Sequence, residues 1–305
     1  MDTLQHLVTE QRNERTLDLS ELSIKEIIHI MNDEDGKVAE AVRQALPEIE
    51  AVIARIVQAL EQGGRLVYIG AGTSGRLGVL DASEIPPTFG VDPQTVEALI
   101  AGGEGAFVTA VEGAEDDEHQ GALDLESRQL NAKDILVGLA ASGRTPYVKG
   151  ALQYARQIGA FTAAVACNRN SILGKYADIA IEVEVGPEVL TGSTRLKAAT
   201  AQKMILNMLT TTAMIKRGKV YQNLMIDLHV SNQKLQERAR NILMQATGAT
   251  AEEAERKLLD AGNHVKTAIV MIETGLSKPE ASRYLEEANG FVTKAIAGAR
   301  SAQGR

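Results

Sequence analysis

The stretch RLVYIGAGTSGRLGVLDASEIPPTFG, residues 65–90, decides the fold. It opens on a short apolar run, passes through the glycine- and hydroxyl-rich loop GAGTSGR (Gly70–Arg76) and continues with helical spacing as GRLGVLDASEI. A strand that turns through such a loop into a helix is half of a β–α–β unit. The pattern then repeats. VEALIAG (96–102), DILVGLA (134–140), FTAAVA (161–166) and ADIAIEVEV (177–185) are further short apolar runs bounded by glycine or polar residues. Between them, AFVTAVEGAEDDEHQGALDLESRQL (106–130) and TPYVKGALQYARQIG (145–159) carry helical spacing, and TRLKAATAQKMILNMLTTTAMIKRG (194–218) follows the last strand. This alternation predicts one α/β domain over residues 62–222, a doubly wound parallel sheet with helices on both faces.

Outward from that domain the chain is helical. Upstream, Ser23 and Glu26 form a capping-box signature, and Ile24, Ile27, Ile28 and Met31 make an apolar stripe. A second amphipathic helix is predicted from near Val38 to Leu60, so residues 1–61 form an N-terminal helical segment. Downstream of YQNLMIDLHVSNQKLQ (221–236), Thr250 with Glu253 is another capping box and Gly262 a stop. Ser277, Pro279 and Glu280 open a further helix that ends near Gly290. Residues 223–305 are thus expected to be a small helical bundle, weakly similar to the UBA-like fold.

Composition excludes several function classes. The 305 residues hold 32 Lys and Arg against 40 Asp and Glu, a net charge of −8, with no basic block. That argues against a nucleic-acid partner or an anionic membrane surface. No run approaches the roughly 18 apolar residues that span a bilayer, and the polar start lacks the apolar core of a signal peptide, so the cytoplasm is expected. The single cysteine, Cys167, follows FTAAVA and is expected to be a buried structural thiol. No Cys/His cluster calls for a metal, and Trp is absent, so a bound sugar would be gripped by polar loops rather than by a stacking platform.

The chemistry is carried by loops. GAGTSGR satisfies the G-x-G-x-x-G dinucleotide fingerprint, but the second strand runs out into AGGEG, where Glu104 is only loosely placed for a ribose. AASGRTP (Ala140–Pro146) and TGSTRLK (Thr191–Lys197) offer a better comparison, because all three loops place Ser or Thr at a helix start. Amides and hydroxyls there suit a phosphorylated, polyhydroxylated ligand, although any one such residue could equally be a helix cap. Two carboxylate groups stand out. Pro86 and Pro87 are expected to end the helix and place Glu84 in its last turn, facing the negative end of the helix dipole, as suits a proton donor, although spacing alone fits an ordinary exposed carboxylate equally well. Glu112 and Glu115 lie in AVEGAEDDEH, where spacing alone leaves Glu115 on a solvated acidic face.

Four strings together, YIGAGTSGRLGVLDASEIPPTFG, LIAGGEGAFVTAVEGAEDD, GLAASGRTPYV and TGSTRLKAATAQKMILNML, resemble the N-acetylmuramic acid 6-phosphate etherase family. They resemble more distantly the regulatory protein of glucokinase; both have the sugar isomerase (SIS) fold. The likeness runs over nearly the whole chain, including MNDEDGKV from Met31 and the C-terminal helices; Ile85 stands where some relatives carry Cys. The resemblance implies cleavage of a D-lactyl ether in cell-wall sugar recycling, with Glu84 and Glu115 catalytic and Glu84 the proton donor. It implies phosphate- and sugar-binding roles for Gly72, Thr73, Ser74, Ser142, Gly143, Arg144, Thr145, Ser193, Thr194 and Lys197. It implies no metal and no cofactor, a small sugar phosphate as ligand, and a homodimer with a shared site. A sugar-phosphate isomerase and a non-catalytic sugar-phosphate sensor remain the alternatives. His229 and His264 are expected to be structural, with His229 the nearer to the site.

Overall fold

The structure, a computed structural model, describes residues 6–227 and 233–304. After short 3-10 turns, the chain forms α1 (Ile24–Asp35), α2 (Val38–Arg43) and α3 (Leu46–Glu61). The predicted capping box is present: Ser23 accepts from the Glu26 amide, and the Glu26 carboxylate accepts from the Ser23 amide at 2.8 Å. The single helix expected over 38–60 is instead two. Pro47 lies at the start of α3, where its missing amide costs nothing but where its ring cannot continue a helix from upstream.

The sheet consists of β1 (Leu66–Gly70), β2 (Val96–Ile100), β3 (Ile135–Leu139), β4 (Phe161–Ala166) and β5 (Ile179–Glu182). The helices α4 (Gly72–Phe89), α5 (Glu118–Ser127), α6 (Pro146–Gln157) and α7 (Lys197–Lys216) complete the layers. All pairings are parallel, in the order β2-β1-β3-β4-β5. Every residue of β1 and β3 is buried, as expected of strands covered on both sides. Val67, Ile69 and Leu136 share a core with Tyr147, Val148, Ala151 and Leu152 of α6. A Cβ on Gly78 of α4 would touch Tyr68 and Leu139, which point to the opposite face. The chain leaves β1 for β2 on one side and returns to β3 on the other. The carboxyl ends of β1 and β3 are therefore the switch point at which open α/β sheets bind ligands.

By internal contacts, the chain forms two compact units: residues up to Ser83 together with Pro93–Thr210, and Glu84–Asp92 together with Thr211 onwards. The second unit contains the short hairpin β6 (Val220–Tyr221) and β7 (Leu224–Met225). It continues with α8 (Gln233–Thr247), α9 (Ala251–Asp260), α10 (Val265–Thr274), α11 (Lys278–Glu287) and α12 (Val292–Ala302). Leu243, Leu258, Ile269, Leu285 and Val292 are among its buried core. Its caps follow the sequence: Thr250 accepts from the Glu253 amide, Ser277 and Glu280 form a capping box, and Gly262 and Gly290 adopt positive φ at the helix ends. Among the described residues no helix is long and apolar enough to cross a membrane.

Two expectations fail around the sheet. Residues 106–130 are helical only in α5; before it lie two 3-10 turns, Glu104–Phe107 and Ala114–Asp116, separated by Gly113 at φ +75°. Pro86 and Pro87 do not end α4. Their rings remove two amide donors yet hold the φ that a helix requires, so one more turn forms before Gly90, at φ +58°, donates to Pro86 O at 2.9 Å. Glu84 therefore lies five residues short of the helix end, outside the last turn in which a dipole acts.

Candidate active site

The first loop is shaped by two glycines. A Cβ on Gly70 would fall 2.8 Å from the Gly75 nitrogen, and one on Gly75 would fall 2.7 Å from Ile100 Cγ1. Only bare backbone lets β1 turn so sharply into α4. The opening amides of α4, at Gly72, Thr73 and Ser74, consequently sit at the carboxyl end of the sheet without carbonyl partners inside the helix, where they can face an anion. Ser74 itself is buried and donates to Gln202 Oε1 at 2.8 Å, tying α4 to α7.

The second loop, Ala140–Thr145, is held from beneath. Gly143 adopts φ +70°, and a Cβ there would meet Ser171 Cβ at 2.5 Å. The Asn168 side-chain amide donates to Ala141 O at 3.1 Å and to Ser142 O at 3.4 Å. It also donates to Thr9 Oγ1 at 3.1 Å, so the N-terminal segment braces this loop. Ser142, Arg144 and Thr145 then line a cleft of about 740 Å³ together with Glu115, Glu118 and Lys149. Thr145 stands at the N-terminal boundary of α6, but its hydroxyl makes no capping bond.

Glu115 is positioned by the segment between β2 and α5. Gly102, at φ +87°, leaves room for Val111, which would contact a Cβ there at 2.8 Å. Arg76 of α4 donates from Nε to Phe107 O at 2.9 Å and from Nη2 to Ala106 O at 2.8 Å, clamping the first 3-10 turn. Behind Glu115, Asp117 caps α5 by accepting from the amides of His119 and Gln120, each at 3.0 Å. Helices α5 and α6 cross at glycines: a Cβ on Gly150 would lie 1.8 Å from Glu118 O. Burial pushes the Tyr147 hydroxyl upward, and its bond to Asp124, at 2.5 Å, joins the same two helices. The exposed Glu115 carboxylate is thereby carried on the turn that leads into this helix pair. It lines a second cleft, of about 290 Å³, with Gly72, Arg76, Val111, Glu112 and Gly113. Because Glu115 belongs to both clefts, it stands between the first and second loops.

The third loop behaves differently. Helix α7 begins at Lys197, and its first amides are taken by the buried Glu188 carboxylate, from Lys197 N at 2.9 Å and Ala198 N at 3.0 Å. Ser193 and Thr194 form the turn just before it. The Lys197 ammonium, almost fully buried, bonds Glu34 at 2.7 Å, and Glu34 also receives Arg15 at 2.9 Å and Lys37 at 2.6 Å. The structure thus places Gly72 at the smaller cleft and Ser142, Arg144 and Thr145 at the larger, with Glu115 lining both, whereas Lys197 is committed to an internal ion network. Cys167 is fully buried, its thiol pushed up to about 12 by burial and then by the Glu188 charge, consistent with a structural role.

The Glu34 network has a measurable signature. Burial alone would raise the Glu34 carboxyl, but bonds from Lys197, Lys37 and Arg15 outweigh it and hold it at about 2, down from 4.5. A depressed carboxyl contributes stability that is present above its ordinary value and lost as pH falls through the folded value, here between about 4.5 and 2. Lys197→Met is expected to cost about 3 kcal/mol at pH 7. That deficit should shrink at pH 3, where the Glu34 carboxyl, left with Arg15 and Lys37 alone, takes a proton more readily than in the wild type. Urea unfolding at both pH values checks this, and an equal deficit at each would refute it.

Glu84 is exposed and does not line either cleft. His264 is exposed at the boundary of α10 and caps nothing, and His229 lies outside the described residues. Sequence reasoning did not reach Arg76, Asn168, Thr9 or Glu188 as organisers of the loops. The one available signal was that Arg76 ends the GAGTSGR motif.

The glucokinase regulatory protein N-terminal SIS domain matches residues 48–156, the SIS domain matches residues 108–212, and the C-terminal lid domain of glucokinase regulatory protein matches residues 222–278. A protein of Bacteroides fragilis involved in capsule formation shares the fold, with a TM-score of 0.50 and 20% identity over 67% of this chain and 98% of its own. The N-acetylmuramic acid 6-phosphate etherase of Exiguobacterium sp. is 56% identical over 96% of this chain and all of its own. That of Mycolicibacterium smegmatis is 55% identical over 96% of this chain and 98% of its own. With more than half of its residues shared along almost its full length, and with the loops that carry the likeness arranged at one end of the sheet, the chain belongs to the N-acetylmuramic acid 6-phosphate etherase family.

Proposed function

We propose that this chain cleaves the D-lactyl ether of N-acetylmuramic acid 6-phosphate, giving N-acetylglucosamine 6-phosphate and D-lactate. One observation carries the reading: the Glu115 carboxylate lines both clefts, with the hydroxyl- and amide-rich loops on either side of it. In the opened sugar the C1 aldehyde acidifies the C2 proton. Glu115 takes that proton, the electron pair forms the C2–C3 double bond, and the C3–O bond breaks. Glu84 supplies a proton to the departing lactate oxygen. Water then adds at C3 while C2 regains a proton, so the sum is one ether and one water converted to two hydroxyls. Phosphate is held by the Ser142–Thr145 loop with Arg144, and sugar hydroxyls by Gly72, Thr73 and Ser74, with Ser193 and Thr194 at the margin.

The family resemblance supports a site shared between two copies. The functional assembly in this reading is a homodimer. Residues 62–222 bind the sugar phosphate, and 1–61 and 223–305 flank it. The net charge of −8 and the absence, among the described residues, of a membrane-crossing helix support a cytoplasmic setting. The test is turnover of N-acetylmuramic acid 6-phosphate in ¹⁸O-water. Label is expected at the C3 hydroxyl of the amino sugar and not in the lactate hydroxyl. Label in the lactate, or a ketose with no lactate, would overturn the elimination.

A further inference from the structure

Among the described residues, Arg76 is the only cation lining the smaller cleft, which it shares with Glu112 and Glu115. Its two hydrogen bonds go to the carbonyls of Phe107 and Ala106, which orient the guanidinium without neutralising it. A guanidinium has five N–H donors in one plane, so donors remain for a further partner. A half-buried arginine, already fixed by two carbonyls and facing a cleft, suits a carboxylate, because its planar fork matches that group and little freedom is left to lose on binding.

The substrate in the reading above, on which this inference rests, carries two anions. The phosphate lies at the far end of the sugar. The lactyl carboxylate hangs on a short arm from the ether oxygen that breaks. Both clefts that Glu115 lines carry cations, Arg144 and Lys149 beside Ser142 and Thr145 in one and Arg76 in the other. We propose that Arg76 forms a carboxylate subsite that binds the lactyl group. That group is what distinguishes the substrate from the phosphosugar product, so the subsite confers specificity and lets the product leave. Since the same guanidinium clamps the turn at Ala106–Phe107, carboxylate binding also steadies the segment that leads to Glu112 and Glu115.

Calorimetry on the full-length Glu115→Gln protein allows binding to be read without turnover. Adding Arg76→Gln is expected to weaken N-acetylmuramic acid 6-phosphate by roughly ten- to a hundredfold, while N-acetylglucosamine 6-phosphate stays within about twofold. Arg76→Lys, which keeps a charge, should fall between the two for the lactyl-bearing ligand and leave the other unchanged. Equal weakening of both ligands in both variants would mean that Arg76 serves the loop alone, and no weakening of either would mean that it serves neither; each result overturns the subsite. Absence of D-lactate with the wild-type protein would sink the etherase reading itself, a separate outcome from lactate release with an unaltered ligand preference in the Arg76 variants.

Discussion

Glu115→Gln is expected to lower D-lactate release from N-acetylmuramic acid 6-phosphate by about three orders of magnitude, with phosphosugar binding retained. A positioned general base contributes about 10²–10⁴ in rate, and an amide of the same shape keeps the packing while losing the basic oxygen. The substitution does not disturb the frame. Glu115 is exposed, and Gly113, Asp117 and the α5–α6 crossing hold its backbone without using its carboxylate. The loss should therefore fall on kcat rather than on KM. Exchange of the C2 proton with deuterated solvent should vanish together with lactate release, because both begin with the same abstraction. A variant that still exchanges C2 at the wild-type rate would remove Glu115 from the role of base.

The second large effect concerns Glu84, where exchange and cleavage should come apart. Glu84→Gln is expected to reduce lactate release by a similar factor of about a thousand while C2 exchange continues, since the base remains and only the proton for the leaving oxygen is missing. The exposed position of Glu84 on α4 again makes a folding defect a poor explanation of lost activity. Loss of both exchange and cleavage in this variant would assign Glu84 to proton abstraction instead.

The sheet was legible because each strand is a short apolar run closed by glycine or polar residues, a pattern set by local burial alone. LVYIG and ILVGL could hardly lie elsewhere than at its centre. The phosphate-type loops were legible for the same reason, since GAGTSGR and AASGRTP each follow a strand directly. What escaped was governed by partners distant along the chain. Asn168 braces Ser142 and reaches Thr9 across 159 residues, and Ser74 meets Gln202 across 128. Glu188 occupies the amides of α7 that were expected to suit a phosphorylated ligand. Local rules also misled where two effects competed. Pro86 and Pro87 lose amide donors but keep helical φ, so α4 ran on to Gly90, and Glu84 was left off the helix end. Before α5, apolar spacing suggested helix, but Gly102 and Gly113 at positive φ fold that segment into turns that carry Glu115 to the clefts.

The shared site is tested most directly by mixing the two inactive proteins, Glu84→Gln and Glu115→Gln, after dissociation and reassembly. If one copy supplies Glu115 and its partner Glu84, half of the dimers are mixed and each mixed dimer holds one intact site, so about a quarter of the wild-type D-lactate release should return. If both carboxyl groups act from the same chain, every site in a mixed dimer lacks one of them. The mixture would then stay as inactive as its components, contradicting a site built from two copies.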